Sequence, residues 1–198
     1  SQTCQIGLTI WLISIFLFFS ACSQKIYDEP MVPTFMPADY PPLSINARKL
    51  VIIKNWKMPG EEPFYEHLIS PNPYSILTEW AGNTLLPAGS SGEVTLDIRK
   101  ASIVIKQIYQ ADSIKEQFTD SPRKKIEVEL AGQIMWLQPI TGQTGFLDAR
   151  AVSSRTVPES SSALEFDVAV QETIFTALSG FDRKLRSEIE SLSGMILY

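Results

Sequence analysis

The chain has 198 residues, 44% of them hydrophobic and 20% charged, and a formal net charge of −5. That length suits one domain of ordinary size with appendages, and the apolar content is enough to bury a core. The mildly acidic balance supplies no basic face of the kind nucleic acid requires, which excludes nucleic acid from the expected partners.

The N-terminus differs from everything after it. From Ile6 to Ala21 the sequence IGLTIWLISIFLFFSA has no charged side chain, and every charged residue of the chain lies after Cys22. At ~1.5 Å per residue this run makes a helix of roughly 24 Å, short of the ~30 Å hydrocarbon core of a bilayer. A signal-peptide core over residues 1–21, ending in small residues at a cleavage point, fits better than a stable span. The segment ahead of it, SQTCQIG, contains no Lys or Arg.

Phe19-Ser20-Ala21-Cys22 resembles the lipobox of bacterial lipoproteins, although Phe19 stands where that family usually has Leu. The resemblance implies recognition of Phe19, Ser20 and Ala21 by a dedicated peptidase and lipidation of Cys22. Cysteine usage agrees, since Cys4 and Cys22 are the only two in the chain and the mature domain would hold no disulfide. The alternative is an uncleaved anchor helix that ends at Cys22. Acyl groups hold a chain to a membrane in proportion to the methylenes they bury. In the sorting rule of enteric lipoproteins an aspartate after the cysteine retains the protein at the inner membrane. Here that residue is Ser23, which implies the periplasmic face of the outer membrane of a Gram-negative bacterium.

Residues 22–46 read as the lipidated N-terminus and a tether. Five of the chain's 13 prolines fall between Tyr27 and Pro42, which removes backbone donors and biases the preceding residues toward extended backbone. A stiff stalk of roughly 3.1 Å per residue is expected, the alternative being that Met, Phe and Tyr in this stretch lie along the domain.

The folded domain is expected over 47–198. Arg48 to Trp56 is a β-branched run bounded by charge and reads as a strand covered on both faces. After a proline-rich loop, Tyr74 to Leu86 places Ile76, Leu77, Trp80 and Leu85 at helical spacing, with Pro73 before the first turn and Pro87 and Gly89 beyond the end. Gly92 to Tyr109 alternates Val94, Leu96 and Ile98 with polar residues, and a bulge or register change is expected within Arg99 to Ser102. Lys124 to Leu137 keeps Ile126, Val128, Leu130, Ile134 and Trp136 on one parity, and Phe146 to Val157 reads as a weaker, edge-like strand. Ser162-Ala-Leu-Glu165 has capping-box form and opens a helix to about Leu192, roughly 45 Å long. That length is expected to overhang the sheet, Gly180 to mark a bend, and Asp182, Arg183, Lys184 and Arg186 to face water.

The order β-α-β-β-β-α predicts an α+β domain: a mixed or antiparallel sheet of about four strands, two helices on one face and a long C-terminal helix. Joined to a lipobox and a proline-rich stalk, this order resembles the ABC-type transport auxiliary lipoproteins and the outer-membrane lipoprotein of lipopolysaccharide assembly. The helix YSILTEWAGNTL, with Trp80, is similar to the first helix of the auxiliary group.

No catalytic constellation stands out. His67, the one histidine, sits in a proline-bounded loop beside Glu61, Glu62 and Glu66, a poor start for a metal site. Ser121-Pro-Arg-Lys124 has S-x-x-K form, but Pro122 disfavours the helix that motif needs. Gly142 to Gly145 reads as a hairpin turn, and Asp97 and Glu129 as solvated residues opposite one another. Two basic clusters, Arg123, Lys124 and Lys125 between two strands and Arg183, Lys184 and Arg186 on the long helix, are candidate contacts for anionic lipid, lipopolysaccharide or a partner. The expected function is a lipid-anchored, non-catalytic adaptor of an envelope transport or assembly complex, with no cofactor, a membrane contact through its lipid and an envelope protein partner. The alternatives are a lipid-binding module holding ligand between sheet and helices, and an uncleaved single-span protein with a periplasmic domain.

Overall fold

The computed structural model describes residues 31–110 and 121–198. The expected signal peptide, with Phe19, Ser20 and Ala21, and the expected lipidation site Cys22 lie outside the described residues. The elements are β1 (Leu43–Ile45), β2 (Lys49–Lys54), α1 (Pro73–Thr84), β3 (Leu85–Pro87), β4 (Glu93–Gln110), β5 (Ser121–Gln138), β6 (Gln143–Pro158) and α2 (Ala163–Ile189). The domain is α+β. Its main sheet has the order β2-β4-β5-β6, with β2 parallel to β4 and the other pairs antiparallel, while β1 and β3 form a small parallel pair.

Each helix starts where its sequence supplies a cap. The Asn72 side chain accepts the amide of Ser75 and Pro73 fills the first turn of α1. At α2 the Ser162 hydroxyl accepts the Glu165 amide while the Glu165 carboxylate accepts the Ser162 amide, a complete capping box. Alternation organises the sheet. In β5 the even residues from Ile126 to Gln138 are buried. In β4 the buried apolar set is Val94, Leu96 and Ile98, then Ala101 and Ile103, and the change of parity falls at a register slip between Ile98 and Lys100. One extra residue there keeps both halves of an 18-residue strand facing the same core.

The long helix lies lengthwise on the sheet, antiparallel to β6. Glu172 pairs with Arg155, Gly180 faces Ala151, and Leu192 lies against Gly145. Strands of 18 residues span about 60 Å and a 27-residue helix about 40 Å, so the strands outrun the helix and the expected overhang is reversed. Gly180 serves this contact, because a Cβ there would stand 3.2 Å from that of Ala151.

Trp80 of α1 meets Phe181 of α2 edge to face, ring centroids 5.3 Å apart, and both are fully buried. The Trp80 indole donates to Asp182 Oδ1 at 3.1 Å, and Asp182 Oδ2 takes Arg186 Nε at 2.8 Å. Asp182 is therefore buried rather than solvated, because a buried indole N–H needs an acceptor and the carboxylate keeps its own cation.

Three further expectations are corrected. The strand near Arg48 to Trp56 is β2, an edge with Ile53 exposed, because only β4 pairs with it. Asp97 and Glu129 do not oppose one another: Asp97 pairs in register with Gln133, and Glu129 with Ser102, and Asp97 is buried rather than solvated, accepting from the Asn55 side-chain amide at 2.6 Å. The folded part starts before Ala47. Phe35 stacks on Tyr40 at 5.6 Å, Tyr40 is buried with its hydroxyl 3.3 Å from Ser179 Oγ, Arg186 donates to the Pro41 carbonyl, and Ile45 is fully buried. Residues from Phe35 onward thus form a strap along α2, since their aromatic side chains bury more area there than a free stalk allows.

Candidate functional site

The sheet has two unlike faces. The inner one carries the core, while the outer one carries ion pairs: Glu129 Oε2 lies 2.7 Å from Lys100 Nζ and its Oε1 2.7 Å from Arg150 Nε, Lys125 pairs with Glu127 at 3.2 Å, and Lys49 with Glu93 at 2.6 Å. Burial raises the Glu129 pKa, but the hydrogen bonds and charges of Lys100 and Arg150 outweigh it and hold the carboxyl below its usual range. Between the Lys49–Glu93 pair and the other ion pairs, a row across all four strands is uncharged: Val51, Thr95, Met135 and Phe146, with Leu137 beside it on β5. Phe146 is 71% exposed.

Alternation and pairing disperse the two basic clusters. The Arg123 to Lys125 cluster lies within β5, which begins at Ser121, so successive side chains point to opposite faces. Lys125 joins the outer ion pairs, Arg123 is half-buried on the same parity, and Lys124 turns to the helix side, its Nζ 5.5 Å from the centroid of Phe166. On α2, Lys184 is paired with Glu188, Arg186 is built into the Asp182 and Pro41 contacts, and Arg183 is exposed. One continuous basic surface does not result.

Lys124 instead belongs to a groove of about 700 Å³ at the end of the sheet, lined by Pro63, Tyr65, Leu68, Ile105, Lys124 and Phe166 among others, with His67, Glu62 and Glu159 also around it. Its wall exists because the loop after β2 closes on the free edge of β4. Tyr65 donates its amide to the Ile103 carbonyl and Ile105 donates to the Pro63 carbonyl, each at 2.9 Å. Glu66 completes the closure: it is buried, not solvated, and its Oε2 accepts the Ile103 amide at 3.0 Å. Tyr65 meets Phe166 edge to face at 5.5 Å, and burial, then the charge of Asp167, pushes its phenol pKa up, keeping it a neutral donor.

The groove residues were hard to find in sequence. FYEHL reads as a loop between prolines, and nothing local says that it will edge a strand half a domain away. The available signal was Phe166, a large aromatic in the first turn of α2 that lies beyond the regular core spacing. Among the described residues no group of three metal-binding side chains converges. No known family model matches the chain, and no curated protein matches it.

Proposed function

We propose that this protein is a lipid-anchored, non-catalytic envelope lipoprotein that works as an adaptor in a transport or assembly complex. The observation that carries the adaptor reading is the filled interior: Ile76, Leu77 and Trp80 of α1, Leu178 and Phe181 of α2, and Leu96, Ile98 and Ile134 of the sheet are essentially fully buried against one another. A module that enclosed lipid between sheet and helices would need that space. Packing of this kind leaves the surfaces to do the work, and the uncharged row ending in Phe146 is the surface that no helix covers. Anchoring through Cys22 rests on the lipobox resemblance.

The first test is the intact mass of the protein extracted from membranes, compared with Cys22→Ala. The expected parent mass is that of residues 22–198 plus diacylglyceryl and acyl groups, absent from the variant; an unprocessed, unacylated parent overturns the anchor. A photo-reactive residue at position 146, placed in the living cell, then tests the adaptor. It is expected to give discrete cross-linked species that one at Arg155 does not, and identical patterns from the two positions overturn the surface assignment.

A further inference from the structure

We propose that the groove beside Phe166 is a binding site for a singly charged amphiphile of the fatty-carboxylate class, its head on Lys124 and its alkyl chain along Leu68, Ile105 and Phe166. This stands apart from the adaptor reading and holds whether or not Cys22 carries lipid.

Four observations select that ligand. The volume of about 700 Å³ lies within the range of sites that hold small molecules, and the walls are divided between apolar or aromatic side chains and polar ones, as an amphiphile requires. Lys124 has no carboxylate partner among the described residues and is half-buried against the face of Phe166, so its charge lacks the complement that its neighbour Lys125 has in Glu127. Glu62 and Glu159 border the same groove and repel an anion, but both are exposed to water while Lys124 is half-buried, so one negative charge at Lys124 is tolerated better than two and a carboxylate better than a phosphate monoester. The neutral Tyr65 phenol, without a hydrogen-bond partner among the described residues, adds a donor to the wall.

The test uses the full chain in nanodiscs of phosphatidylcholine, titrated calorimetrically with octanoate and corrected with empty nanodiscs. Saturable binding of one octanoate per chain is expected, at least tenfold weaker for octanol and octylammonium, and no tighter for octyl phosphate. Lys124→Met is expected to weaken octanoate at least tenfold, Lys124→Arg to stay within threefold of the parent, and Lys184→Met to match the parent. Unchanged binding by Lys124→Met, absence of saturable heat, or equal binding of octanol overturns the proposal. Pulse proteolysis in urea, with midpoints of the position-124 variants equal to the parent's, keeps the loss assigned to the groove rather than to unfolding.

Discussion

Replacing Trp80 with Phe isolates the hydrogen bond on which the helix pair turns. The substitution keeps a ring against Phe181 but removes the indole N–H that reaches Asp182 Oδ1 at 3.1 Å. A hydrogen bond to a charged group contributes about 1.5–3 kcal/mol, and loss of part of a fully buried ring adds about 1 kcal/mol of packing, so a destabilisation of about 3 kcal/mol is expected. With a urea dependence of about 1–3 kcal/mol per molar, the unfolding midpoint falls by about 1–3 M. Pulse proteolysis of the full chain in nanodiscs measures this midpoint. The second half of a double-mutant cycle decides the cause: in an Asp182→Asn background the amide oxygen still accepts, but without charge, so the cost of Trp80→Phe is expected to shrink by about 1 kcal/mol. An unchanged cost in that background refutes the charged hydrogen bond as the origin, and a midpoint shift below ~0.3 M for Trp80→Phe alone refutes the premise that the contact matters.

Four other perturbations follow from the same structure. Ser162→Ala removes one arm of the capping box and is expected to cost about 1 kcal/mol in the same urea assay. Glu165 has its carboxyl held below the usual range first by the Ser162 amide and then by the Ser162 hydroxyl, so the ionised form stabilises the fold. That contribution is full above the ordinary carboxylate pKa of about 4.3 and is lost as pH falls through the lower folded value; the stability gap between parent and Glu165→Gln should therefore close in acid titrations below about pH 4. Gly92 has φ +85° and an added Cβ would stand 2.2 Å from the Leu137 carbonyl oxygen, so Gly92→Ala is expected to lose more than about 1 kcal/mol, read as a lower melting temperature. Glu66→Ala leaves the Ile103 amide without its acceptor and is expected to cost about 1–3 kcal/mol and to expose the edge of β4 to faster amide exchange at Ile103 and Ile105.

Local signals were legible wherever a segment's own chemistry determined its state. The capping box at Ser162, the proline and cap before α1, and the single parity of Ile126 through Trp136 each describe contacts made within a few residues or along one strand, and the structure has all three. The β4 bulge belongs with them, because a parity change in an apolar pattern can be read from the chain alone. What failed required knowing a distant neighbour. Asp182 looks like a solvated helical acid until Trp80, 102 residues away, needs an acceptor. The Phe35 to Pro42 segment looks like a stalk because proline density is a local property, while the side of α2 that receives Tyr40 exists only after folding. Glu66 looks like one more loop carboxylate until a strand edge arrives with an unpaired amide.

The basic clusters show how far this limit reaches into function. Three adjacent cations in sequence suggest one patch, yet a strand sends neighbours to opposite faces, and the outer face of this sheet already holds Glu127 in reach of Lys125. On a helix the same reasoning runs through spacing, where Lys184 finds Glu188 and Arg186 finds Asp182 one turn away. Clustering in sequence is therefore weak support for a charged surface, and the informative cation is the one that pairing leaves over. Of Lys124 and Lys125 that cation is Lys124, which lies over the aromatic face of Phe166 and has no carboxylate partner among the described residues. Its environment was set by Phe166, 42 residues further along, and by a loop more than fifty residues before it. A site assembled from three segments that far apart leaves no motif, which is why its chemistry becomes readable only once the edge of β4, the start of β5 and the first turn of α2 are seen side by side.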